Sequence, residues 1–277
     1  MSRGCPSGHS HETSDPPSGK SDRQEATNVP RGVHPTHRGH AAGLRHPSQE
    51  DCITEGEKVV DDVSRHASLE ASCDDDEPTG EQTKGESIRE TIELARHCEA
   101  LGYHRFWVSE HHNHDTITGS APEIVMAAIA ATTTRIRIGS AGIMLPHYSS
   151  LKIAEQFRVL DAIAPGRIDL GLGRAPGSDG RTAYALNPNA GQGADRFPEQ
   201  VRDLLAWVNG EALPDGHIFG AIRAFPAGET APRMWMLGTS DYGARIAAHF
   251  GIPYCFAHFI TQGQGCLQAL DLYRQHY

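Results

Sequence analysis

The segment IRIGSAGIMLPHYSSLKIAEQFRVLDAIAPGRIDLGLGR, residues 136–174, contains the pattern that decides the fold. An apolar stretch over 136–146 is followed by a helical pattern over 151–166, which closes on Pro-Gly, and then by a second apolar stretch over 167–174. Two near-continuous apolar strands joined through a helix are typical of neighbouring parallel strands in a sheet that helices cover. The segment therefore predicts a β-α-β unit.

The same alternation of helix and strand continues on both sides of this unit. Apolar residues at helical spacing alternate with short apolar runs that Gly, Pro and polar residues bound. We predict further helices over 87–102, 120–134, 197–210, 241–251 and 266–277, and further strands over 106–110, 234–238 and 253–259. Ser87 with Glu90, and Ser120 with Glu123, have the spacing of capping boxes, which predicts both serines as N-caps.

Two folds are built from repeated strand–helix units, the open doubly wound sheet and the (β/α)8 barrel. The stretch GLGRAPG, residues 171–177, breaks the GxGxxG spacing of a dinucleotide-binding turn and continues into a long Gly- and Pro-rich loop. Polar clusters follow the strands at EHHNH (110–114) and GTSD (238–241), and barrel enzymes assemble their sites at the carboxyl ends of the strands. We therefore predict an α/β fold of the (β/α)8, TIM-barrel type.

The N-terminal third of the chain has a different composition from the rest. Residues 1–84 contain 9 Lys and Arg against 16 Asp and Glu, seven of the 17 His, and no Trp, Tyr or Phe. A segment with so little apolar surface does not bury enough of it to offset the entropy of ordering the chain. We predict a disordered, acidic, His-rich extension over 1–84 and one folded domain over 85–277.

Composition also excludes several classes of function. A formal net charge of −10 without a basic run argues against nucleic acid as a partner. No stretch approaches the roughly 20 apolar residues of a membrane span, and the N-terminus lacks the apolar core of a secretory signal. Six cysteines without regular spacing argue against a disulfide scaffold. We predict a cytoplasmic protein that contacts neither membrane nor nucleic acid.

The stretch FWVSEHHNHD, residues 106–115, concentrates three histidines and two acids behind a predicted strand. Adjacent side chains of a strand point to opposite faces, so His111 and His112 do not converge on one metal ion, and HExxH is absent. We predict no metal site here, with a zinc hydrolase as a further alternative. An acid/base imidazole at the strand mouth and a solvated loop without a role both remain open.

Small residues and a cation mark the ends of two other predicted strands. Four small residues over 139–142 permit either a tight barrel or the close approach of a flat ligand. Gly171 and Gly173 strip one strand face of side chains, which leaves a place where a planar ring could lie. Arg174 at the exit of the strand suits a phosphate or carboxylate, or a surface ion pair. Gly238, Thr239 and Ser240 precede a helix whose N-terminus fits either a phosphate or ordinary capping by Ser240 or Asp241.

Three stretches of the chain together resemble one family. They are GYHRFWVSEHHN (102–113), the segment 136–177 and WMLGTSDYGARIAAHFGIPYCFAHF (235–259), and they resemble the bacterial luciferase-like flavin monooxygenases. The resemblance extends over about 87–277 and is strongest to the subgroup with a GLGRAPG strand end. It implies a (β/α)8 barrel that binds reduced flavin mononucleotide (FMN) at the carboxyl ends of its strands.

The resemblance also implies roles for individual residues. His111 corresponds to the catalytic histidine and His112 to its neighbour in the active site. The pair Ala141–Gly142 corresponds to a bulge, often with a cis peptide bond, that supports the flavin ring. The positions implied for cofactor binding are Glu110, Ala141, Gly142, Gly173, Arg174, Gly238, Thr239 and Ser240. Luciferase itself has a reactive cysteine where this chain has Gly173, which argues against light emission.

The activity implied by the family is the oxidation of a small organic substrate by reduced FMN and O2. A flavin reductase would supply the reduced FMN as a transient partner, and a homodimer is expected. One alternative is hydride transfer from a deazaflavin on the same barrel. Another is a non-catalytic, truncated flavin-binding fragment, because no apolar first strand is visible over 71–86 and the last two strand–helix units of the family are missing before Tyr277. We therefore expect an incomplete barrel.

Overall fold

A computed structural model describes residues 84–115, 117–175, 178–189, 191 and 195–277. The predicted extension over 1–84 lies outside these residues, except for Lys84, which belongs to the first helix. The helices are α1 (Lys84–Ala100), α2 (Pro122–Thr132), α3 (Ser150–Ile163), α4 (Gly180–Leu186), α5 (Phe197–Asn209), α6 (Asp241–Phe250), α7 (His258–Thr261) and α8 (Cys266–His276). The strands are β1 (Arg105–Val108), β2 (Arg137–Ser140), β3 (Ile143–Met144), β4 (Ile168–Gly173), β5 (Arg233–Gly238) and β6 (Tyr254–Phe256), and a 3₁₀ helix spans Leu145–His147.

These strands form one curled sheet in the order β1-β2-β4-β5-β6, with β3 also paired to β4. Every neighbouring pair is parallel. A parallel connection needs a crossover, and helices supply it between the consecutive strands β1 and β2, β3 and β4, and β5 and β6. The sheet is part of the wall of a (β/α)8 barrel, which confirms the predicted fold class. All its strands end at one edge, where the polar clusters noted above are found.

The face of the sheet that packs against the helices carries the main apolar core. Because side chains alternate along a strand, every second residue turns to this face. Fully burying one such aliphatic or aromatic side chain contributes about 1.5–3 kcal/mol. The buried side chains of this face and of the helices against it include Phe106, Ile138, Ile168, Leu170, Met234, Met126, Ile129, Phe157 and Val201.

The opposite face of the sheet has a smaller apolar cluster above a buried charge network. Trp107, Trp235 and Cys255 pack together, with the two indole ring centroids 5.4 Å apart. The Asp169 carboxylate is fully buried and accepts hydrogen bonds from Trp107 Nε1 at 3.0 Å, Arg105 Nε at 3.1 Å and Arg137 Nη2 at 2.6 Å. A buried carboxylate is tolerated because charged donors satisfy it. This network fixes the amino-terminal ends of β1, β2 and β4 to one another.

Both predicted capping boxes are wrong. Helix α1 already includes Lys84, so Ser87 lies inside it, and its carbonyl accepts a hydrogen bond from the Thr91 hydroxyl. Helix α2 begins at Pro122 with Ala121 as N-cap and no side-chain cap. Pro122 sets the start of α2, because its ring fixes φ and its missing N–H costs nothing in the first turn.

Two other elements differ from the sequence prediction. The strand predicted over 136–146 is divided into β2, β3 and the 3₁₀ helix. Part of the Gly- and Pro-rich loop predicted after residues 171–177 forms helix α4, which Asp179 caps. Among the described helices, none is both long enough and apolar enough to cross a membrane.

Candidate active site

Glu110 follows β1 and is turned into the protein, with only 2% of its surface exposed. One carboxylate oxygen, Oε2, accepts the backbone N–H of Met144 at 3.0 Å. The other, Oε1, accepts the Tyr148 hydroxyl at 2.6 Å and lies 2.8 Å from His112 Nε2. The predicted site residues Glu110 and His112 are therefore in direct contact, and Tyr148 joins them.

Tyr148 is a member of this cluster that sequence reasoning missed. Burial raises the pKa of its hydroxyl well above the usual value, and the hydrogen bond to Glu110 and the charge of that carboxylate add to the shift. The hydroxyl therefore keeps its proton and acts as a donor. Its position in LPHYSS, shortly after β3, was the available signal, but spacing alone does not show that the ring turns back toward β1.

The predicted catalytic histidines lie at the start of the loop that follows β1. His111 and His112 are both half-buried, whereas His114 and Asp115 are exposed. The backbone N–H of His111 donates to the Gly119 carbonyl at 3.0 Å and so closes the loop. Asn113 has a positive φ of 54°, a conformation that Asn tolerates better than most residues. The loop thus holds both imidazoles at the carboxyl end of β1.

The predicted bulge at Ala141–Gly142 is present. Gly139 pairs with Asp169 and Ile143 pairs with Leu172, so four steps along β2–β3 match three steps along β4. One residue is therefore extra on the β2–β3 side, which defines a bulge. The cis peptide bond expected there is not found: among the described residues, the cis bond is Phe225–Pro226.

The glycines beside the bulge are explained mostly by close packing. A Cβ on Gly171 would collide with the Ser140 carbonyl oxygen, and one on Gly142 would lie 2.9 Å from the Leu172 carbonyl carbon. The interpretation that Gly171 leaves room for a flat ring is therefore wrong, because the backbone of the bulge fills that space. A Cβ on Gly173 would have its nearest neighbour 3.8 Å away, so the strand is open only at its end.

The predicted phosphate elements come together at the ends of β4 and β5. Arg174 is exposed, and its guanidinium carbon lies 4.1 Å from the ring centroid of Tyr242, in the first turn of α6. Ser240 is the N-cap residue of α6, but its side chain makes no capping hydrogen bond. A Cβ on Gly238 would meet no atom within 4 Å. A permanent cation therefore lies beside a helix N-terminus whose N-cap residue, Ser240, leaves the first N–H groups without a capping bond from its own side chain.

Helix α4 is tied to the histidine loop and to the 3₁₀ helix. The Asp179 carboxylate accepts the backbone N–H groups of Arg181 and Thr182, at 2.9 and 3.2 Å, and the Asn113 amide at 3.2 Å. Asn187, just after α4, donates to the Pro146 carbonyl at 3.0 Å. We call α4 with these contacts the α4 strap. It borders the carboxyl edge of the sheet.

The described residues contain no group of three or more His, Cys, Asp or Glu side chains placed to hold a metal ion. Of the clustered histidines, His112 contacts Glu110 and His114 is exposed. The structure thus places an imidazole in contact with a carboxylate at the end of β1. It places the Arg174 cation beside the N-terminus of α6 at the ends of β4 and β5.

Comparison with known proteins decides the family. The family model described as luciferase-like monooxygenase matches residues 71–277. The chain belongs to this family. It is 43% identical over 201 residues to a luciferase-like monooxygenase of Escherichia coli K12, covering 72% of this chain and 58% of that protein. It is 44% identical over 180 residues to the N-acetyl-S-alkylcysteine monooxygenase of Bacillus subtilis, covering 65% of this chain and 54% of that protein.

A solved structure shares the fold of this chain. The crystal structure of apo-MsnO8 has a TM-score of 0.63 and 41% sequence identity, and the match covers 71% of this chain and 57% of that one. The chain thus spans little more than half the length of the relatives it matches. The resemblance of the three stretches to the luciferase-like monooxygenases is confirmed at the level of the family.

Proposed function

We propose that this protein is an FMN-dependent monooxygenase, which uses reduced FMN and O2 to oxidise a small organic substrate. The observation that carries the proposal is the position of Arg174 beside the first turn of α6. Helix N-termini attract anions through their unpaired N–H groups and the helix dipole, and Arg is the cation best suited to phosphate. Arg174, Thr239 and Ser240 would hold the FMN phosphate there.

The remaining site residues suit a flat cofactor and a proton carrier. The bulge at Ala141–Gly142 and the open end of β4 at Gly173 would border the isoalloxazine ring. Reduced FMN, when bound, supplies the electrons with which one oxygen atom of O2 enters the substrate. His111 and His112, at the same edge of the sheet, would give and take protons at the reacting groups. Glu110 would act through His112, which it contacts.

The proposal extends to partners and to the whole chain. A flavin reductase would supply reduced FMN, the protein would form a homodimer, and it would work in the cytoplasm on a small organic molecule. Residues 85–277 would form the flavin-binding domain, with 1–84 as an extension. The monooxygenase names of two relatives support this class of reaction.

Flavin titration of the Arg174→Ala variant tests the phosphate site. Loss of hydrogen bonds to a charged group costs about 1.5–3 kcal/mol, so FMN affinity should fall about 10- to 100-fold. Arg245→Ala is the matched control, because Arg245 is an exposed arginine of α6 outside the site, and its FMN affinity should equal that of the wild type. Equal FMN affinity in the wild type and in Arg174→Ala would show that Arg174 does not bind the FMN phosphate. Tighter binding of a deazaflavin than of FMN would favour the hydride-transfer alternative.

Turnover of the His111→Ala variant tests the chemistry. With FMN, a flavin reductase and a panel of small organic substrates, kcat should fall about 10²- to 10⁴-fold while FMN affinity is kept, because general acid/base groups contribute that much. His114→Ala is the control, since His114 is an exposed histidine of the same loop. FMN binding without oxidation of any substrate by the wild type would favour the non-catalytic flavin-binding alternative.

A further inference from the structure

The buried cluster of Glu110, Tyr148 and His112 fixes which of its atoms carry protons. The Met144 backbone N–H can only donate, and it contacts Glu110 Oε2 at 3.0 Å. The Tyr148 hydroxyl keeps its proton, because burial holds its pKa high, and it donates to Oε1 at 2.6 Å. Both oxygens of Glu110 therefore accept hydrogen bonds, which is the arrangement that suits an ionised carboxylate.

An ionised carboxylate determines the tautomer of the imidazole beside it. His112 Nε2 lies 2.8 Å from Glu110 Oε1, a distance typical of a charge-assisted hydrogen bond. Since Oε1 has no proton to give, Nε2 must be the donor and carries the proton. The Tyr148 oxygen is 3.5 Å from Nε2, too far to compete with Oε1. In the neutral ring Nδ1 is consequently the nitrogen that accepts a proton.

We infer that Tyr148 and Glu110 form a positioning pair that holds His112 in its Nε2–H tautomer and leaves Nδ1 as the proton acceptor at the carboxyl end of β1. The inference rests on the proposed function, in which His112 serves the reaction. When a reacting group gives up a proton, its bond to hydrogen breaks, the electron pair stays on that group, and an N–H bond forms at Nδ1. The imidazolium that results is paired with the Glu110 carboxylate. Tyr148 touches no reacting atom and acts only through Glu110.

The tautomer can be read directly, without flavin or substrate. In the full chain labelled with ¹⁵N-histidine, long-range ¹H–¹⁵N correlation separates protonated from unprotonated ring nitrogens. The His112 signals are identified by their loss in the His112→Gln variant. The wild type should show Nε2 protonated and Nδ1 unprotonated. An Nδ1–H tautomer in the wild type would overturn the inference.

Two variants test the members of the pair. In Glu110→Gln the amide oxygen still accepts the hydrogen bond from the Met144 backbone N–H, so the amide nitrogen faces His112. Because that nitrogen can only donate, it donates to Nε2, and the tautomer should reverse to Nδ1–H. In Tyr148→Phe the carboxylate loses the donor that fixes Oε1, and the His112 signals should shift toward a mixture of tautomers. Tyr273→Phe is the control, because Tyr273 lies in α8 and its hydroxyl donates to the Ile252 carbonyl, so its removal should leave His112 unchanged.

Each outcome has a separate meaning. An unchanged tautomer in Glu110→Gln would overturn the role of Glu110, and an unchanged spectrum in Tyr148→Phe would overturn the role of Tyr148. These spectra contain no flavin, so they are independent of the FMN titration of Arg174→Ala. A failed titration with the expected spectra would reject the proposed cofactor, and a successful titration with the opposite spectra would reject the positioning pair.

Discussion

Asp169 is a single side chain on which three strands depend. Its carboxylate is fully buried and joins Arg105 of β1 and Arg137 of β2 to β4. Burial lowers the pKa of Arg105, and the charge of Asp169 opposes that shift. The guanidinium groups of Arg105 and Arg233 also lie 5.1 Å from the ring centroid of Trp235. Removal of the negative charge would leave several cations close together.

The Asp169→Asn variant should therefore be strongly destabilised. Removal of one partner from a buried ion pair typically costs 3–5 kcal/mol, and the free energy of unfolding from denaturant titration should fall by about that amount. Asp271→Asn is the control, because Asp271 pairs with Arg274 at an exposed position, where the change should stay within about 0.5 kcal/mol. A loss below about 1 kcal/mol for Asp169→Asn would show that the network does not hold the strands.

The α4 strap is the element that connects the histidine loop to the segment after β4. It depends on Asp179, whose carboxylate accepts hydrogen bonds from the Thr182 hydroxyl, Asn113 and two backbone N–H groups. These bonds, the Thr182 hydroxyl first, lower the pKa of Asp179 well below its usual value. A lowered pKa means that the ionised form favours the folded strap. That contribution is present above the unfolded pKa of about 3.9 and is lost as the pH falls through the folded value.

The protection of the α4 amides from exchange should depend on pH in the same direction as the ionisation of Asp179. Protection of residues 180–186, corrected for the intrinsic pH dependence of exchange, should be constant between about pH 5 and 8 and should decrease only in acid below the ordinary Asp range. Asp179→Ala should lose the protection already at pH 7, whereas the control Asp215→Ala, at an exposed position, should keep it. Equal protection in both variants would show that Asp179 does not hold the strap.

At the scale of the whole molecule, the sheet was predictable because its signal is local. The apolar runs at 136–146 and 167–174, with a helix between them, required only neighbouring residues to be interpreted, and the structure confirms parallel strands there. The polar ends of the strands were predictable for the same reason, since parallel strands end at one edge.

The parts that sequence reasoning missed depend on contacts between distant residues. Tyr148 reaches Glu110 across 38 positions, and Asn113 reaches Asp179 across 66. Gly171 was interpreted as open space because the sequence does not show that the Ser140 carbonyl fills it. Such contacts arise from the bulge and from loop paths, neither of which leaves a periodic pattern in the chain.

Binding of FMN through its phosphate, at Arg174 and the N-terminus of α6, is proposed as the basis of the activity. Its most direct test is the ratio of FMN to riboflavin affinity, since riboflavin has the same ring without the phosphate. The wild type should bind FMN at least about tenfold more tightly than riboflavin, and Arg174→Ala should lose most of that difference while its riboflavin affinity stays unchanged. Equal affinity of the wild type for FMN and riboflavin would contradict the account.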